Sequence, residues 1–231
     1  MRPINKGVYL YRLAKYEDAQ QPLVVRLGEY CSYCERWIAS AIHVEHKKPK
    51  KEYPTEQYSW GNFLLSCSNC NSSKSHGEMQ LGDYLWPDAD NTFCIFEYDE
   101  EGRVLPRLGF DEEVQEKIIK TWQLTGLNKH PDINVFDGME KPSDKDNRWS
   151  HRSMAWRKAI RYKEGLKIVD SLERRHEAVE MAKERGMFSV WMAVFQDNVE
   201  MCRLLIDAFP NTAKDCFDSQ GKPIQRPNGI L

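Results

Sequence analysis

Apolar residues recur every four positions after Asp111: Val114, Ile118 and Trp122 fall on one face of a 3.6-residue helix. Asp111 offers a carboxylate for the N-cap, Glu112 and Glu113 suit the positive end of the helix dipole, and Gly126 suits the stop. Residues 127–148, with Pro131, Gly138 and Pro142, read as loop. Helical patterning resumes over about 150–185, with Gly165 as a candidate break, and again over about 189–208, ending before Pro210. The tail from Ser219, with two prolines and two glycines, is expected to be extended or mobile. Upstream the pattern is weaker. Leu23 to Leu27 form a short apolar stretch, helix or strand, and Phe93-Cys94-Ile95-Phe96 reads as a strand. The expected layout is a small polar-rich module over residues 1–110, with its chemistry concentrated at 30–80, followed by a helical region over 111–231.

Composition changes this picture little. A chain of 231 residues with 41% hydrophobic and 29% charged residues can bury a core and hold one or two domains. No run of about 18 apolar residues occurs, so no membrane span is expected. Met1 to Tyr11 lacks the apolar stretch and cleavage site of a signal peptide, which points to a cytoplasmic protein.

Charge adds more. The formal net charge of −2 argues against indiscriminate binding of nucleic acid, but the charges are segregated. Residues 145–167 hold eight Lys or Arg against two acids, a net of +6, and residues 97–116 hold eight acids against two Arg, a net of −6. In the basic window Arg152, Arg157 and Arg161 interleave with Trp149, Trp156 and Tyr162. That mixture suits phosphate contact with base stacking, and equally an amphipathic helix with a solvated basic face.

Four of the seven cysteines form two Cys-x-x-Cys pairs, Cys31/Cys34 and Cys67/Cys70, separated by 32 residues. Each short loop can turn both sulfurs inward, so two pairs can wrap one tetrahedral Zn²⁺. A closed four-thiolate shell leaves no open position, so this zinc is expected to be structural. The spacer carries Ile42-His43-Val44-Glu45-His46-Lys47-Lys48-Pro49 and then Trp60-Gly61-Asn62-Phe63-Leu64-Leu65-Ser66, and Asn71-Ser72-Ser73-Lys74 follows Cys70.

An acid-His pair before a basic, Pro-containing stretch, an Asn before an apolar run, and Cys-x-x-Cys-[His/Asn]-x-x-Lys together resemble the HNH family of ββα-metal nucleases, over about residues 30–76. The resemblance implies an α+β fold: a small zinc-stapled ββα-metal core, here joined to a mainly helical C-terminal half. It implies hydrolysis of nucleic-acid phosphodiesters. His46 would be the general base, Glu45 and Asn71 the ligands of a Mg²⁺ or Mn²⁺ ion, and Asn62 the brace of loop and base. Lys74 would meet a phosphate at the start of the helix after the knuckle. Lys47 and Lys48 are further candidates for nucleic-acid contact. Asn71 stands where the family name has its final His, and an amide oxygen favours Mg²⁺ or Mn²⁺ over Zn²⁺ or Ni²⁺. Neighbours in an ideal strand point to opposite faces, so Glu45 and His46 serve one site only beyond a strand end or at a bulge. His43 and His76 read either as auxiliary contacts or as structural residues.

Met1-Arg2-Pro3-Ile4, Tyr30-Cys31-Ser32-Tyr33-Cys34-Glu35, His43 to His46 and Leu65 to Lys74 together resemble a narrower group. That group is the PtuB-like HNH nucleases of Septu and certain retron anti-phage systems. The resemblance implies a PtuA-like ATPase as partner and a nuclease restrained until infection. DNA is the favoured substrate. An RNA- or tRNA-cleaving toxin and a catalytically inactive zinc module that binds nucleic acid stay open as alternatives.

Overall fold

The computed structural model describes residues 1–74 and 79–231. The first half is built from α1 (Gln20–Leu27), β1 (His43–His46), β2 (Phe63–Ser66), α2 (Ser68–Ser73), β3 (Phe96–Tyr98) and β4 (Val104–Pro106). The second half holds α3 (Glu112–Leu124), α4 (Arg148–Ile168), α5 (Leu172–Arg185), α6 (Phe188–Val194) and α7 (Val199–Ala208). Strands β1 and β2 pair antiparallel, His43 opposite Ser66 and His46 opposite Phe63, and α2 follows after one residue. Strands β3 and β4 form a separate antiparallel pair. The architecture is mixed α and β, with small sheets and a helical second half. No described helix is long and apolar enough to cross a membrane.

Local chemistry sets these boundaries. The Leu23–Leu27 stretch folds as helix and buries Leu23 and Leu27. The α3 prediction holds: the Asp111 carboxylate accepts from the Val114 amide at 2.9 Å, and Ile118 and Trp122 are buried. Gly126 ends that turn with φ +64°, and a Cβ there would lie 2.5 Å from the Ser73 hydroxyl and 2.9 Å from the Arg148 guanidinium.

Three expectations are corrected. The strand read at Phe93–Phe96 begins only at Phe96, because the Phe93 and Cys94 amides bond to Asn91 and close a turn. Gly165 lies inside α4. A single solvent-facing glycine costs only about 1 kcal/mol in a helix, and the break comes at 169–171, where the Ser171 hydroxyl caps α5. The stretch 189–208 is two helices, because the Asn198 side chain accepts from the Met201 amide at 3.0 Å and starts α7.

The tail is irregular but tied down. The Arg226 guanidinium donates to the Pro87 and Ile4 carbonyls, each at 3.1 Å, and Asn91 donates to the Cys216 and Ile224 carbonyls, each at 2.7 Å. Buried donors and acceptors with geometry this good hold the segment in place.

Apolar side chains gather in two clusters. One surrounds β1, β2, α1 and α3 and includes Leu23, Phe63, Leu65, Ile118 and Trp122. The other joins α4 to α7 through Val179, Phe188, Trp191, Leu205 and Phe209. Buried polar links stitch the clusters together. Arg2 donates to the Leu27 and Pro210 carbonyls, and the Glu35 carboxylate accepts from the Ser189 amide at 2.8 Å and hydroxyl at 2.5 Å.

Within the first half, Asp88 holds two buried lysines, Lys6 at 2.6 Å and Lys47 at 2.8 Å. Burial disfavours its charge, but the two ammonium groups outweigh that and keep the carboxyl below its ordinary range. Asp88→Ala leaves two buried cations without their carboxylate. Unfolding by urea should show a loss of about 3–5 kcal/mol; a loss under about 1 kcal/mol would mean water solvates the pair instead.

Candidate functional site

The zinc knuckle is assembled from two turns. After α1 the chain reverses at Cys31–Glu35, where the Cys31 amide bonds to the Arg36 carbonyl and Glu35 takes φ +63°. The second pair sits at the start of α2, with Cys67 as its N-cap residue and Cys70 one turn on. All four sulfurs lie within 4.8 Å of one another, are buried, and include a Cys34–Cys67 approach of 3.7 Å. A tetrahedron with Zn–S bonds of about 2.3 Å has edges of about 3.8 Å, so the four thiols fit one zinc ion.

Four thiolates around one divalent ion carry a net charge of −2, which burial penalises. Arg148 answers this: its Nη1 donates to the Cys70 sulfur at 3.1 Å and to the Thr125 carbonyl at 2.9 Å. Asp146 (2.8 and 2.6 Å) and the Gly126 carbonyl (3.0 Å) hold the rest of the guanidinium. Arg148 looks in the sequence like one more surface cation. It is 2% exposed and ties the start of α4 to the metal knuckle.

The second centre is a cavity of about 520 Å³ lined by Glu45, His46, Asn71 and Lys74. Strand β1 ends at His46, and both members of the Glu45-His46 pair reach this cavity at the strand terminus. The His46 ring packs edge-on against Tyr16 (4.8 Å between centroids) and Phe63 (5.0 Å). Its Nε2 lies 3.1 Å from the Gln57 carbonyl, which can only accept, so Nε2 carries the proton and Nδ1 is the basic nitrogen. Burial lowers the His46 pKa below the usual histidine value and keeps the ring neutral, the form a base requires.

Asn62 does not line this cavity. Its amide accepts from the Lys48 N–H at 2.7 Å and donates to the Lys48 and Glu56 carbonyls at 3.0 and 3.2 Å. It therefore clamps the 47–57 loop that presents the Gln57 carbonyl to His46. Lys74 lies at the end of α2, not at a helix start. Its Nζ bonds to the His46 carbonyl and to the Glu45 carboxylate, the latter at 2.7 Å. Burial lowers its pKa against the opposing pull of Glu45. A carboxylate and an amide oxygen in one water-accessible cavity are the hard donors that a Mg²⁺-type ion takes alongside water, so Glu45 and Asn71 fit that role.

The expected nucleic-acid contacts divide. Lys47 is held by Asp88, and Arg152 is buried with Nε on the Gly102 carbonyl at 2.7 Å, so neither is presented to a polyanion. The close approach is made possible by Gly102, φ +82°, where a Cβ would lie 2.1 Å from the Trp149 carbonyl. Burial lowers the Arg152 pKa to about 10. Lys48 is half-buried beside Glu56 at 3.5 Å, whereas Arg157 and Arg161 are exposed on α4.

Other cavity residues carry no motif signal. Tyr16, Glu17 and Gln20 form one wall from the N-terminal extension, and Lys50 and Lys51 line the cavity as exposed residues. Only the lysine run from 47 to 51 hints at that basic edge. His43 lines the cavity with Nε2 3.1 Å from the Ser68 hydroxyl. His76 lies outside the described residues.

A hairpin and a short helix carry four thiols that could hold one metal ion, with a neutral histidine and a carboxylate at the end of the first strand. Residues 31–77 match the family model described as HNH endonuclease, which supports a metal-dependent nuclease acting on nucleic acids. The chain matches none of the curated proteins with which it was compared.

Proposed function

We propose that this chain is an HNH endonuclease that hydrolyses nucleic-acid phosphodiesters, DNA foremost, with His46 as general base. The observation that carries the reading is the end of β1. There His46, its Nε2 turned to the Gln57 carbonyl, shares one cavity with Glu45 and Asn71.

His46 Nδ1 accepts a proton from the attacking water. Tyr16, Phe63 and the Asn62-clamped loop hold the ring in place. Glu45 and Asn71 hold the divalent ion, Mg²⁺ or Mn²⁺ by their hardness. When bound, that ion supplies positive charge to the phosphate oxygens as negative charge builds there. Lys74 contributes a second positive charge beside Glu45, and Lys50 and Lys51 attract the polyanion to the cavity.

The chain is further proposed to act as the effector of an anti-phage complex with a PtuA-like ATPase, docked through the helical region 111–231. Two features support a protein partner. The matched segment 31–77 leaves most of the chain outside the nuclease module. The acidic window keeps exposed carboxylates at Glu97, Glu113 and Glu116, which would repel DNA and suit a protein surface.

The test compares duplex DNA, single-stranded DNA and tRNA, with Mg²⁺, Mn²⁺ or EDTA, with and without the co-expressed neighbouring gene product. Metal-dependent cutting of DNA that EDTA stops is the expected result. Cutting of tRNA alone would move the substrate to RNA. No cutting under any condition would leave a zinc module that only binds.

A further inference from the structure

A second cavity, of about 440 Å³, lies between the zinc knuckle and helices α4 to α6, and it shares no lining residue with the His46 cavity. Its size suits a small ligand. Arg36, Lys158 and Arg185 line it with one carboxylate, Glu184, and none of the four has an ion-pair partner within 4.0 Å among the described residues. Among the described residues Arg36 hydrogen-bonds to neutral acceptors only: Asn69 Oδ1 at 3.2 Å, Asn147 Oδ1 at 3.0 Å and His151 Nδ1 at 3.0 Å. Its orientation is set without a carboxylate partner among the described residues, and Cys67 of the knuckle also lines the cavity.

Two further observations give the site an aromatic character. Trp37 and Met154, 46% and 54% exposed, present flat or soft apolar surfaces to the cavity. Trp191 forms part of the wall, is fully buried, and its indole N–H has no acceptor among the described residues. That nitrogen is closed to solvent, so the ring backs the wall and does not offer its N–H to a ligand.

We propose that this cavity is a nucleotide-binding site. The ligand's phosphate is met by Arg36, Lys158 and Arg185, and its base by Trp37 and Met154. A phosphate alone would leave the exposed Trp37 and Met154 surfaces unused, and an uncharged ring would leave the three cations without an anion. The site goes beyond the nuclease reading and stands whether or not the chain cleaves nucleic acid. A free mononucleotide and the terminal nucleotide of a strand offer the same chemistry, and the two are separated by measurement.

Titration calorimetry on the zinc-loaded full chain, in the His46→Ala background, tests this. The probes are the four ribonucleoside monophosphates, the matching nucleosides, inorganic phosphate and a 5′-phosphorylated trinucleotide. Saturable binding of at least one monophosphate or of the trinucleotide is expected, with its nucleoside and inorganic phosphate at least about tenfold weaker. Lys158→Ala/Arg185→Ala should weaken binding by about tenfold or more. These side chains make no hydrogen bond or ion pair among the described residues, so the fold should tolerate their loss. Trp37→Ala should weaken binding severalfold. Absence of saturable binding for every probe, or equal affinity in wild type and the double variant, overturns the proposal. Binding that Glu45→Gln abolishes and the double variant spares would place the nucleotide in the His46 cavity and overturn it as well.

Discussion

His46→Ala is expected to lower the rate of nucleic-acid cleavage by about 10²–10⁴-fold, the range a positioned general base contributes. Zinc content and the unfolding midpoint should barely change. The ring lies at the end of a strand, its polar contact is a single bond to the Gln57 carbonyl, and its packing is against Tyr16 and Phe63. Truncation leaves space continuous with a cavity already open to water, so the cost to folding is small. Single-turnover cleavage with saturating Mg²⁺, run beside elemental analysis, separates the two effects. A variant that cuts at the wild-type rate removes His46 from the base role. A variant that loses zinc along with activity would mean that the residue supports the fold instead.

Cys67→Ser is expected to have the larger effect on stability. Zinc-finger peptides gain about 10–16 kcal/mol from a structural zinc at neutral pH, which exceeds the whole stability of many domains. Cys67 is the N-cap residue of α2, and its sulfur lies 3.7 Å from that of Cys34. Replacing the thiolate opens the tetrahedron and leaves the Arg148 guanidinium facing an incomplete anion. The variant should purify with less than one zinc per chain, and its α2 amides should lose protection against hydrogen exchange. A fully folded preparation without zinc would refute the metal-stapled knuckle and leave four buried thiols as ordinary core.

Much of the candidate site is legible in the sequence because its chemistry is local. The thiol pairs announce themselves by spacing, and Glu45, His46, Asn71 and Lys74 by their order around them; the structure gathers these four on one cavity. Helix α3 is legible because its cap, its apolar repeat and its glycine stop agree.

What stays hidden depends on distant partners. Arg148 and Arg152 look in sequence like members of a solvated basic stripe, yet Cys70 is 78 positions from the first and Gly102 is 50 from the second. Because buried arginines occupy inward positions of α4, its apolar residues do not gather on one face, and periodicity cannot show which side is in. The wall contributed by Tyr16 and Gln20 is invisible for a related reason: nothing in their local sequence marks residues that line the His46 cavity from outside the motif.

The long-range arginine bonds also bear on how the chain reaches this state. Arg226 bonds to the Ile4 carbonyl across 222 positions, and Arg2 bonds to the Pro210 carbonyl across 208. Closing loops of that length is entropically expensive and comes late, after helices and hairpins have formed. During synthesis the zinc knuckle and β1–β2 hairpin can form early, while the first residues await their docking surface until the segment beyond 210 has left the ribosome. An immature chain therefore leaves Arg2 and the Ile4 and Pro87 carbonyls without these partners until then. That interval is when aggregation, or capture by a chaperone, competes most strongly with folding.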